Sequence, residues 1–441
     1  MSEIVVVGIV VLIVLMVTGV PVPFSFLGAA LAMAIVGGYN TGFMVNTGFE
    51  KVSSVTLLAM PLYILAGSLM EFGGVGARIV NFANRFVGHI RGGLTIIAVL
   101  CCGIFGAITG SADATLTCIG SIMRPKFEEK NYPKGITAAL MANASIIGML
   151  IPPSILMILY AWAAETSVLA CFLSTVIPGL MVVILFSVLS VVMLRKYKDI
   201  EVLSRAEIKE SIRAEKFAPD GTRKPGSFWA LMMPVIILGG IYSGIFTATE
   251  AAAVSCVYVI PVGFFIYREL TMRTLWNSLH KAFVTSGIIL MSTFSTGILS
   301  RIFVDEKLPQ TLVRLLLNIS EDPFVILLLI NVFLVIIGML MSDTAAILLC
   351  APILVPVVKA IGVDPVHFAA IIGVNIGFGN ITPPCAPKIY LSARVMDAEV
   401  KDMMVPNMVY LLCGWLPVLL ITTYWPKIAL FLPELIMKYG L

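Results

Sequence analysis

Two stretches of this chain set small oxygen-bearing side chains beside residues that break helices. In the first, Thr109, Gly110, Ser111 and Asp113 cluster, and Asn143 and Gly148 lead into Pro152-Pro153. In the second, Ser342, Asp343 and Thr344 cluster, and Gly379, Asn380 and Thr382 lead into Pro383-Pro384. The stretches share one register. Ser111, Pro125, Gly148, Pro152 and Pro153 recur 231 positions later, without a gap, as Ser342, Pro356, Gly379, Pro383 and Pro384. A helix interrupted inside a membrane frees backbone carbonyls, which only protein, water or a ligand can satisfy. With hydroxyl, amide and carboxylate oxygens they make hard ligands suited to a small cation such as Na⁺. One such cluster alone would read as Ser and Thr bonding back to their own helix and as a proline kink. Recurrence in register favours two sites of the same character. A carboxylate at membrane depth, as expected for Asp113 and Asp343, is costly unless paired.

The candidate substrate contacts lie around the same breaks. Lys388 follows Pro383-Pro384, and a cation beside an unwound segment can hold a carboxylate; the alternative is a lysine that snorkels to the interface. Ser154 and Cys385 adjoin the two breaks, and Trp162 reads first as an interfacial aromatic and second as a substrate contact. His89, His280 and His367 are scattered, the eight cysteines form no CxxC pair, and no HExxH occurs. The pattern therefore argues against a zinc site, disulfides and an intramembrane enzyme, and it calls for no cofactor beyond a coupling ion.

The elements that must position these residues are membrane helices. The chain is 59% hydrophobic and 12% charged, about half the charge of a soluble domain. A net charge of +4 says nothing of nucleic acid, and no nucleic-acid partner is expected. The partner this composition requires is a lipid bilayer. Apolar runs of about 20 residues recur throughout. Residues 4–38 read as two spans split by Pro21-Val22-Pro23, and residues 55–72 as a third. Residues 94–108 and 114–123 are short and flank a polar turn, which predicts a re-entrant hairpin. Residues 136–170 predict one span broken at Pro152-Pro153, and further spans follow near 173–194, 228–247, 250–267 and 283–304. A second hairpin (323–341 and 345–357), a second broken span (366–396) and a last span (405–426) complete the reading.

Arg78, Arg85, Arg91, Arg124, Lys126, Lys130 and Lys134 surround the first hairpin, whereas Asp305, Glu306, Glu321, Asp322 and Asp364 dominate around the second. Basic flanks favour the cytoplasm, so the hairpins should enter from opposite faces. Five spans between them, an odd number, invert the second copy independently of charge. The fold expected is an all-α polytopic membrane protein with two inverted-topology repeats, each holding a re-entrant hairpin and a broken transmembrane helix. Such a pattern is the mark of a secondary transporter.

Gly110-Ser111-Ala112, Ile119-Gly120-Ser121-Ile122-Met123 and Ile151-Pro152-Pro153-Ser154 resemble the large membrane subunit of TRAP transporters, the tripartite ATP-independent periplasmic carriers. So do Arg91-Gly92-Gly93-Leu94, Ile177-Pro178-Gly179-Leu180, Thr344-Ala345-Ala346-Ile347 and Thr382-Pro383-Pro384. The resemblance covers essentially the whole chain. It implies Na⁺-driven import of an organic acid by an elevator mechanism. It also implies a separate small four-helix membrane subunit and a periplasmic substrate-binding protein as partners, and the bacterial inner membrane as location. Two departures stand beside the expected pocket. The carboxylate of Ser342-Asp343 is shifted by one position, and Cys385-Ala386-Pro387-Lys388 replaces the family's usual Val-Gly after the prolines. A self-sufficient Na⁺/anion symporter of related architecture is the alternative.

The organisation expected is N-terminal scaffold spans (1–90), a first transport unit (91–172), connecting spans (173–304), a second transport unit (305–400) and a C-terminal span (401–441). A polar linker, 195–226, carries nine Lys and Arg and should be cytoplasmic. Single cysteines placed in it should resist an impermeant thiol reagent in right-side-out vesicles and react once the vesicles are opened. Ready labelling from outside would overturn the topology.

Overall fold

The computed structural model describes residues 2–87, 92–197, 200 and 226–438. Arg91 and most of the 195–226 linker, with its expected cytoplasmic location, lie outside the described residues, as do the side chains of residues 85–87. The described secondary structure is helical. Seven of its helices are long and apolar enough to cross a membrane, or eight counting the bent pair Lys134–Leu150 and Ile155–Ala163 as one span. The protein is a multi-pass membrane protein.

Proline and glycine set the element boundaries. Helices Glu3–Val17 and Val22–Val36 are separated by the turn before Pro21, and Val55–Phe72 matches the third expected span. The first hairpin runs up Gly93–Thr109 and back down Ala112–Glu129. Gly110 makes the turn at φ 61°, where a side chain would be strained. Ser111 caps the returning helix by accepting from the Ala114 amide. The returning helix is longer than its apolar stretch, because the charged segment after Met123 stays helical to Glu129. The first broken span comprises Lys134–Ser145, Ile147–Leu150 and Ile155–Ala163. It ends seven residues before the expected 170, because a turn at Ala164–Ser167 lets Ser167 cap a separate 27-residue helix, Val168–Leu194. The second copy has the same parts. Pro323–Leu340 and Asp343–Ala360 form its hairpin, and Pro365–Gly379 and Pro387–Met396 form its broken span.

The repeat extends beyond the motifs that announced it. Val75–Val87 and Leu308–Ile319, each just before a hairpin, stand one repeat apart, and neither was visible as a span because both mix charge with apolar residues. Val55–Phe72 corresponds in the same way to the later part of Met272–Asp305.

The helices pack as two sets. Met272–Asp305, at 34 residues the longest, packs against Val22–Val36, Gly42–Val52 and Val55–Phe72. Lys281 reaches Glu71 at 2.6 Å across this set. The other set holds both hairpins and both broken spans, with Val168–Leu194 and the C-terminal helices against them. Each hairpin touches the broken span of its own copy backbone to backbone. A Cβ on Gly106 would lie 2.0 Å from the Gly148 Cα, and one on Gly379 would lie 2.7 Å from the Gly338 Cα. Only glycine permits this approach, and it places each hairpin tip beside the break. Gly106→Ala should therefore destabilise the fold by about 1–3 kcal/mol. Gly287→Ala, where a Cβ meets nothing within 4 Å, should not. An unchanged melting temperature for Gly106→Ala in detergent would refute this packing argument.

Candidate transport site

The two hairpin tips and the second break meet at one charged group. The Lys388 side chain is only 5% exposed. Its Nζ lies 2.6 Å from Asp113 Oδ1 and 3.3 Å from Asp343 Oδ2. Lys388 is the second residue of the helix that restarts after Pro383-Pro384, and Asp113 and Asp343 sit in the first turns of the returning hairpin helices. An ammonium this deep is sustained by carboxylates, not by water. The interfacial alternative for Lys388 is thereby excluded.

The carboxylates are held unequally. Asp343 is 17% exposed and also accepts from Asn380 Nδ2 at 2.7 Å. Asp113 is 62% exposed, and among the described residues Lys388 is its one side-chain partner.

A cavity of about 360 Å³ opens beside the cluster. Thr109, Gly110, Ser111 and Asp113 line it from the first hairpin, Asp343 and Thr344 from the second, and Met149, Ile155 and Leu156 from the first broken span. Glu71, Lys281 and Thr285 form the opposite wall, so the cavity lies along the seam between the two helix sets. Helices beginning at Ala112, Ile155 and Asp343 start at this cavity, and the one beginning at Pro387 carries Lys388 into the cluster. The N-terminus of a helix is electropositive and carries free N–H groups, so these starts favour an anion.

Most of the other expected residues adjoin the hairpin tips or the breaks, and Trp162 does not. Gly148 packs on Gly106 and Thr115, and Pro152 belongs to the break itself. Gly110 O accepts from the Ile155 amide at 3.4 Å, tying the hairpin tip to the restarted helix. Thr382 Oγ1 donates to Phe378 O at 2.7 Å. Ser154 is fully buried, donating to Met149 O and capping the restarted helix. Cys385 is exposed. Trp162 lies elsewhere, in a second cavity of about 260 Å³ with Lys51, Glu165 and Lys359, and Lys51 sits 5.8 Å above its ring.

Buried asparagines show a shared pattern. Asn143 Nδ2 donates to Ala139 O and Asn407 Oδ1, and Asn375 Nδ2 donates to Ile371 O and Asn331 Oδ1. Asn380 Nδ2 donates to Ile376 O and Asp343 Oδ1. These bonds fix each amide's orientation, and all three Oδ1 atoms are left buried without a hydrogen-bond partner. Orphaned acceptors of this kind fit a cation. Among the described residues no group of three His, Cys, Asp or Glu could hold a metal ion. Sequence reasoning missed Asn331, Asn407, Thr115 and the Glu71–Lys281 wall, since none lies in a motif or beside a break.

A family model described as "Tripartite ATP-independent periplasmic transporter, DctM component" matches residues 9–428. The chain belongs to that family. It is 37% identical to the C4-dicarboxylate TRAP transporter large permease protein DctM of Pseudomonas aeruginosa, over 88% of each chain. It is 35% identical to the sialic acid TRAP transporter large permease protein SiaM of Vibrio cholerae, over 97% of each. It is 36% identical to the isethionate TRAP transporter permease protein DctMQ of Oleidesulfovibrio alaskensis, over 94% of this chain and 64% of that one. The crystal structure of the Alcanivorax borkumensis YdaH transporter shares the fold, with a TM-score of 0.61 at 15% identity over 87% of each chain. The protein is a TRAP large permease subunit, not an enzyme.

The unequal anchoring of the carboxylates predicts unequal costs. Asp343→Asn, which removes the more buried partner of Lys388, should lower the melting temperature clearly more than Asp113→Asn. Equal effects would show that burial does not distinguish the pairs.

Proposed function

We propose that this subunit imports an organic acid anion, driven by Na⁺, across the bacterial inner membrane by an elevator motion. In this reading it works with a small four-helix membrane subunit and a periplasmic substrate-binding protein. The observation that carries the reading is the buried Lys388 ammonium where both hairpin tips and the second break converge. It offers an anion a charged partner just behind Asp113 and Asp343, which line a cavity where helices begin. The relatives named for C4-dicarboxylates, sialic acid and isethionate all handle organic acids, which supports the substrate class.

Na⁺ belongs to the proposal on the chemistry of the donors. Thr109, Gly110, Ser111, Asn143 and Gly148 to Pro152 supply the first cation site. Ser342, Asp343, Thr344, Gly379, Asn380 and Thr382 supply the second. When bound, the ion neutralises carboxylate charge and engages the orphaned amide oxygens. The seam supports the elevator reading: the charged cluster is built from one helix set, and the other set lines the facing side of the cavity. That wall holds Glu71 near the end of Val55–Phe72 and Lys281 in the third turn of Met272–Asp305.

A ligand that binds only the folded state must stabilise it. The purified protein should melt at a higher temperature in Na⁺ than in matched K⁺ or choline, and Ser111→Ala should lose most of that difference. Equal melting in all three salts, up to a few hundred millimolar, would count against Na⁺ coupling.

A further inference from the structure

Resting on the Na⁺/anion reading above, we infer that Asp113 is an internal stand-in for the substrate anion. An arriving carboxylate or sulfonate displaces it from Lys388, and the freed Asp113 then recruits the coupling cation. The two binding events are joined by this exchange of partners.

Three observations lead there. First, the two carboxylates take two of the ammonium's three N–H donors and help to leave its side chain only 5% exposed, so an anion gains a full share of Lys388 by replacing one of them. Second, they differ in how readily they leave. Asp343 is mostly buried and anchored by Asn380, whereas Asp113 is 62% exposed into the cavity and has no second side-chain anchor among the described residues. Asp113 leaves at the lower cost because its carboxylate is already open to the cavity and regains solvent there, whereas a released Asp343 would stay mostly buried. Third, Asp113 stands on the first hairpin tip beside Thr109, Gly110 and Ser111, which line the same cavity. Released from Lys388, its carboxylate completes a hard-oxygen set that lacks a free charge while the ion pair persists.

Charge counting gives the direction of coupling. With both carboxylates ionised, one ammonium and two carboxylates leave the cluster at −1. The neighbouring Glu71–Lys281 pair is neutral. An anion entering this cluster without a cation would raise the negative charge further in a site of low polarity, which is strongly unfavourable. The cation lifts that penalty, and it binds best when Asp113 is free. The anion and the cation therefore favour each other reciprocally, as thermodynamic linkage requires.

The second copy shows why the device occurs once. At the repeat equivalent of Lys388 the first copy carries Met157, so one ammonium serves both tips.

The test uses Na⁺ alone, so it needs no substrate. Thermal melting across a Na⁺ series gives the half-stabilising concentration for each variant. Lys388→Met releases Asp113 permanently and should lower that concentration at least tenfold relative to wild type; Lys388→Gln guards against a folding defect. Lys388→Met/Asp113→Asn should lose the gain, and Lys388→Met/Asp343→Asn should keep most of it. A Na⁺ response in wild type with no gain in either Lys388 variant overturns the exchange and leaves the Na⁺ site standing. So does a gain that survives loss of Asp113 but not of Asp343. No Na⁺ response in any variant overturns the coupling reading itself, and the exchange with it.

Discussion

One ammonium holds three separate pieces of this fold at a point. Lys388 comes from the helix after the second break, Asp113 from the first hairpin and Asp343 from the second. Desolvating such charges costs several kcal/mol per ion, and their attraction repays this only when the geometry is good. The cluster is therefore weak evidence for stability and strong evidence for position. An apolar trio could pack the same space, but it would not fix three chain segments to one another at hydrogen-bond distance. Helix starts at the cavity and the close glycine contacts behind the tips follow from the need to bring those segments together.

The duplication explains much of the rest, and its imperfections are where function is written. Backbone features recur: the proline pair, the amphipathic helix before each hairpin, and a glycine contact between hairpin and broken span, shifted by one position on the hairpin side (Gly106 in one copy, Gly338 in the other). Charged side chains do not. Asp113 stands opposite Thr344, Asp343 opposite Ala112, and Lys388 opposite Met157. A symmetrical scaffold thus offers oxygen donors twice and a cation for an anion once.

The sequence showed the architecture because helix breaks in an apolar chain are expensive and hence conspicuous. Gly110, Pro152-Pro153 and Pro383-Pro384 marked the tips and breaks directly. The hairpin legs could be bounded from hydropathy only to where charge begins, so the helical continuation to Glu129 was not legible; charge does not end a helix, it only ends the apolar run. The amphipathic helices Val75–Val87 and Leu308–Ile319 were hidden for the same reason. Around the site, residues beside the breaks were legible by type. Their pairing was not, because Asp113 and Lys388 are 275 positions apart and nothing local distinguishes a lysine that snorkels from one held between carboxylates. Asn331 and Asn407 were invisible too, since each looks like an ordinary polar residue in a membrane helix until its partner amide is known.

The buried asparagines bear on how tightly the proposed Na⁺ would be held. Each amide of Asn143, Asn375 and Asn380 spends both donors on fixed partners and leaves its oxygen buried and unbonded. An unsatisfied buried acceptor costs about 1–3 kcal/mol. On the Na⁺ reading proposed above, the donor bonds that fix these three amides hold their oxygens in place before an ion arrives, so a cation would gain their coordination without ordering them first. These oxygens are neutral, so on the Na⁺ reading proposed above the fixed charge near the ion comes from Asp113 and Asp343 alone and the other contacts are dipoles. A carrier needs that balance at each turnover, whereas a structural metal site, built from several charged ligands, would hold its ion too firmly to release it.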